Sequence, residues 1–233
     1  LDSRNDYKKV PVKTPTPLNM HQGSVVTLPL VSLALAQADG SRVKLPEGTQ
    51  IVKAVGKFKL YDLDIYNCYL NSDGSFVRLV TERGSSTVLE AYYYAVDGVI
   101  EPHTQEDWEL WLGSWQKDSE NKFVRDSNGI AIRKEWGLIG YPQFQVDGTP
   151  PIIYDRHWQA SSDPVEAVKF TEVITDEDGK PHYVNHEAME YDRMVGNTAE
   201  HLLASVVEDN GKASVTVFIG IAVDHNLIKV LAS

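Results

Sequence analysis

Asn71-Ser72-Asp73-Gly74, Asp97-Gly98, Asp178-Gly179 and Asn210-Gly211 punctuate runs rich in β-branched and aromatic residues. Asn-Gly and Asp-Gly supply the positive φ that a tight hairpin needs, and strands joined this way pair antiparallel. The flanking runs read as strands at 51–60, 65–70, 76–81 and 87–96, then at 165–175, 182–195, 200–208 and 213–223. One helix stands out, at 104–115. Thr104 suits its N-cap and Asp107 follows three residues on; Trp108, Trp111, Leu112 and Trp115 share one face. These signals predict an α+β fold, mostly antiparallel β-sheet with one prominent Trp-rich helix. Residues 1–17, with Pro11, Pro15 and Pro17, read as a flexible N-terminal arm, and 18–233 as a single α+β domain.

At 233 residues and 42% hydrophobic, the chain can build a core without a metal or disulfide staple. Its net charge of −11 opposes phosphate backbones and anionic lipid, so no nucleic-acid partner is expected. No membrane span is expected either: the longest apolar run, 25–38, is short and broken by Pro29. No signal peptide is visible, and a cytoplasmic location is expected. The single cysteine, Cys68, lies in an apolar strand-like run and reads as a buried structural thiol.

Chemical motifs are absent by spacing. His182 and His186 are four apart, but the zinc-protease order fails because the fifth residue is Glu190. On a strand the two would stand about 13 Å apart. There is no Gly-x-Ser-x-Gly elbow and no phosphate-cradling glycine loop. Asp176-Glu177-Asp178 lacks the ligand spacing of a calcium loop. No catalytic residue, cofactor or metal is therefore assigned, and folding is expected to need no metal.

What remains is aromatic: Tyr92-Tyr93-Tyr94, the tryptophans at 108, 111, 115 and 136, and Tyr154-Asp155-Arg156-His157-Trp158. Such residues build cores, and Tyr, Trp and Arg also dominate interface hot spots. The Trp-rich helix and the 154–158 segment are expected to form a protein-contact surface carrying Trp108, Arg156 and Trp158. Its occupant would be an unknown protein partner or a second copy. The leading expectation is a non-catalytic binding or assembly module. The alternatives are an enzyme of unrecognised type and a membrane-surface accessory protein.

Several segments carry a family resemblance: Leu18-Asn-Met20-His21-Gln-Gly23, Ile51-Val-Lys-Ala-Val55, the hairpin at 66–84, Met189-Glu-Tyr191-Asp-Arg193 and Gly220-Ile-Ala-Val-Asp224. In colinear order from about residue 18, the chain resembles the bacterial YjfK-like proteins, a domain of unknown function. The resemblance implies a compact cytosolic bacterial protein with relatives encoded near membrane-stress proteins. It brings no catalytic residues with it.

Overall fold

Asn210 and Gly211 both adopt positive φ, 51° and 76°, and so reverse the chain within two residues as a hairpin of this type requires. Gly196-Asn197 and Tyr61-Asp62 make equally short reversals, with Gly196 and Tyr61 at positive φ. The computed structural model describes residues 16–231 apart from 73, 160 and 177. The predicted arm therefore lies outside the described residues up to position 15.

In chain order the elements are β1 (Val25–Thr27), α1 (Leu30–Ala38), β2 (Gln50–Leu60), β3 (Leu63–Leu70), β4 (Phe76–Glu82) and β5 (Val88–Ile100). Next come α2 (Gln105–Leu112), β6 (Gly113–Trp115), β7 (Arg133–Trp136), β8 (Gln143–Val146) and β9 (Ile152–Arg156). The chain closes with β10 (Val168–Thr175), β11 (Pro181–Val195), β12 (Thr198–Asp209), β13 (Lys212–Ala222) and β14 (Lys229–Leu231). The order β2-β3-β4-β5-β13-β12-β11 is antiparallel throughout, and β10 pairs with both β11 and β2. The result is a closed eight-stranded antiparallel barrel. The β10–β2 seam is short: Val173, Ile174 and Thr175 face Lys57, Gly56 and Val55. β1 and β14 extend the sheet beyond β2, and β9 and β8 extend it beyond β11.

This architecture corrects the α+β expectation. Strand makes up 52% and helix 11%, so the described residues form no helical layer. The Trp-rich helix ends at Leu112 because Gly113 turns to φ 78°, and Trp115 belongs to β6. None of its residues is fully buried, and α1, with nine residues, is longer than its eight. Asp97-Gly98 is not a turn either. It lies within β5, where the register with β13 shifts at Val217/Phe218, so the glycine serves a β-bulge.

Alternation sorts the barrel residues into two sets. Arg78 on β4 and Glu190 on β11 are opposite each other in the eight-stranded ring, yet Nη1 lies 3.6 Å from Oε2. Only the lumen permits that contact, so Asn67, Arg78, Tyr94, Glu190 and His201 point inward. Cys68, Val77, Tyr93, Met189, Leu202 and Ile219 point outward. There they join Met20, Leu33, Phe144 and Tyr154 in the larger apolar core, between the barrel wall and the segments wrapped around it. Glu200 ties that wrapping down: its buried carboxylate accepts from Ser41 Oγ, the Arg42 amide, the Tyr154 hydroxyl and Arg193 Nε.

Candidate functional site

The lumen holds a packed aromatic cluster. Phe76 stacks on Tyr94, with ring centroids 5.1 Å apart, and meets Phe218 edge-on at 5.2 Å. Leu203 and Ala188 complete the cluster. A polar chain runs through it. The Tyr94 hydroxyl donates to Glu190 Oε1 at 3.0 Å, and His201 Nδ1 lies 3.1 Å from the same oxygen, off the line of a good hydrogen bond. Arg78 Nε donates to Asn67 Oδ1, and Asn67 Nδ2 to Glu172 Oε1. The Tyr69 hydroxyl donates to the other Glu172 oxygen at 2.7 Å. Burial by itself would raise the Glu190 carboxyl. The His201 imidazole, the Arg78 charge and the Tyr94 hydroxyl outweigh it and hold the group below its ordinary range.

Part of this network has the order of a hydrolase triad. Ser205 Oγ lies 3.1 Å from His186 Nδ1, and His186 Nε2 lies 3.2 Å from Glu172 Oε2. A nucleophile must be reached by substrate and its base aligned on an orienting acid. Ser205 is 1% exposed, and His186 Nε2 has no well-directed partner. The imidazole is stacked flat on Phe170. The three side chains are part of the buried polar network that links β10, β11 and β12.

A different kind of site lies outside, around α2. Thr104 and Asp107 form the capping box that the sequence predicts, each side chain accepting the other's backbone amide. At the opposite end, the carbonyls of Leu110 and Trp111 accept from the amides of Leu138 and Ile139. Such close approach needs Gly137, where a Cβ would stand 2.2 Å from the Trp111 oxygen. Arg133 completes the cap. Its guanidinium sits between Trp115 and Trp136, 4.1 and 4.5 Å from their centroids, and donates to the Leu112 carbonyl and to Glu166. Between the outer side of α2 and the 135–141 segment lies a groove of about 640 Å³. Leu110, Leu138 and Tyr141 are exposed in it, and Glu106, Glu109 and Glu135 edge it.

The sequence model of a family described as "Protein of unknown function (DUF2491)" matches residues 3–137 and 130–229. The chain belongs to that family. No curated protein matches it, and no solved structure does. The two matched stretches of this DUF2491 chain overlap at 130–137, a segment that contains β7 and, in Glu135 and Trp136, the beginning of one wall of the groove.

The structure places each of the residues singled out from sequence against the body of the protein. Trp108 is half-buried and packs, with Trp111 and Leu112, on the apolar core. Trp158 is half-buried and touches both the core and the lumen cluster. Arg156 is buried, and its guanidinium donates to the carbonyls of Gly140, Ser161 and Asp163. Cys68 is buried, and its thiol is pushed up to about 12. His201 converges with His157, ring centroids 5.8 Å apart, which no sequence spacing signals. Among the described residues no group of three or more His, Cys, Asp or Glu could hold a metal ion. The groove residues carry one legible sign: Leu110 falls off the tryptophan stripe, on the face of α2 opposite the core.

Proposed function

We propose that this chain, a YjfK-like member of its family, is a non-catalytic protein-binding or assembly module of the bacterial cytoplasm. The observation that carries the reading is where uncovered apolar surface lies. The barrel lumen is occupied by its own aromatic side chains, whereas Leu110, Leu138 and Tyr141 stand exposed together beside a rigidly capped helix. Grouped apolar exposure rimmed by polar residues marks interaction surfaces. A photo-cross-linking residue placed at Tyr141, at Trp158 and, for comparison, at the exposed Tyr61 of the β2–β3 turn tests this in the cells that make the protein. Discrete protein adducts are expected from Tyr141 or Trp158 and not from Tyr61. Adducts from none of the three would end the reading.

A second reading, a membrane-surface accessory role linked to envelope stress, has one observation behind it. No charged residue occurs from Val25 to Ala38, and α1 buries Leu33 and Ala36 while exposing Leu30, Val31 and Leu35. An apolar helix face open to solvent can lie in a lipid interface. Flotation with lipid vesicles, lost on Val31→Ser/Leu35→Ser, would support it. A protein that never floats would sink it.

A further inference from the structure

We infer that the groove between α2 and the 135–141 segment binds a partner-protein segment in which Lys or Arg alternates with apolar side chains. The inference rests on the binding-module reading and names the partner's chemistry. Apolar contact is offered by Leu110, Leu138 and Tyr141, of which Leu110 is 58% and Tyr141 43% exposed. All three charged residues lining the groove are acidic, Glu106, Glu109 and Glu135. Glu106 and Glu135 make no ion pair among the described residues, and Glu109 only accepts from Gln105 Nε2. Arg133, two residues before Glu135, is held between Trp115 and Trp136, with its guanidinium bonded to Glu166 and to the Leu112 carbonyl. These carboxylates are therefore left for charges from outside.

The walls are also preorganised. The helix end is bonded to Leu138 and Ile139, and Gly137 lies against it without room for a side chain. A groove that need not order itself loses little entropy on binding. An acidic peptide would be repelled, and a basic one without apolar side chains would leave the floor uncovered. Complementarity of this kind sets specificity more than raw affinity.

Fluorescence anisotropy with three short synthetic peptides tests the assignment: one alternating Lys and Leu, one Lys and Ser, one Glu and Leu. The Lys/Leu peptide is expected to bind the full chain, and the other two to bind at least about ten-fold more weakly. Leu110→Ser, Tyr141→Ser and the triple change Glu106→Gln/Glu109→Gln/Glu135→Gln should each weaken it by about ten-fold. The equally charge-changing Glu47→Gln/Glu82→Gln/Glu101→Gln should not. The changed side chains are exposed, apart from the half-buried Glu109, and unchanged melting temperatures would confirm the folds. Equal binding of the Lys/Ser peptide, or equal loss in the control variant, would show unspecific attraction to an acidic protein and overturn the inference. So would absence of binding. If cross-links form at Tyr141 or Trp158 while the peptide fails, the module reading stands and only the partner chemistry falls.

Discussion

The ring of Tyr94 lies over Gly220 on the neighbouring strand, in the space that a side chain there would fill. A Cβ at 220 would stand 2.4 Å from two ring carbons. The missing side chain lets Tyr94 reach across the lumen and place its hydroxyl 3.0 Å from Glu190. Gly220→Ala should therefore overpack the lumen and cost about 2–3 kcal/mol, read as a lowered urea midpoint with unchanged slope. A neutral effect would mean that Tyr94 has other room to occupy.

Arg78 and Glu190 are both almost fully buried. Removing one partner leaves an uncompensated charge in the lumen, so Arg78→Met should destabilise by about 3–5 kcal/mol. Replacing both, as Arg78→Met/Glu190→Leu, should cost less than the two single changes added together. Denaturation of the four proteins in a double-mutant cycle measures the difference. Simple additivity would contradict the contact.

The Glu190 carboxyl is held below its ordinary value of 4.5 in the folded state. The unfolded chain therefore takes up this proton at higher pH than the native one does. The corresponding stability is present above the ordinary value and is lost as pH falls through the lower, native one. Melts from neutral pH downward should show an acid limb that Glu190→Gln makes shallower. An unchanged limb would assign acid sensitivity to other carboxylates.

Arg156 clamps three carbonyls from two loops, those of Gly140, Ser161 and Asp163. Arg156→Ala removes the guanidinium donor from the Ser161 and Asp163 carbonyls and leaves Gly140 only the Val165 amide, and should cost about 3 kcal/mol. Arg156→Lys should recover little, because a single ammonium cannot reproduce the planar fork. Melting of both variants decides it; near-wild-type stability with lost partner capture would instead make the residue a contact.

Local chemistry was readable wherever one short stretch decides the outcome. Asn210-Gly211 specifies its hairpin and Thr104/Asp107 specify a helix start, because the interacting groups are neighbours in the chain. Closure was not readable. The seam joins Val55, Gly56 and Lys57 to residues 173–175, and nothing near either stretch announces the other. Arg78 and Glu190 look in sequence like ordinary outward polar positions of half-exposed strands, and only the ring turns them to the inside. The helix α1 was hidden for a different reason: an uncharged run lacks the polar face by which a helical period is recognised. The groove fell between the two cases, with Leu110 visible as an exception and its companions at 135–141 brought to it by tertiary contact.

β11 has one edge occupied by β12 alone, from Asn185 to Val195, while its other edge is shared, first by β10 and then by β9. Losing β9 would fray the wall without breaking the ring, whereas losing the three-residue grip of β10 on β2 would turn the barrel into an open antiparallel sheet. Opening is therefore expected along one line of the circumference. Amides of the β10–β2 seam should exchange with solvent hydrogen well ahead of those in the β12–β13 ladder.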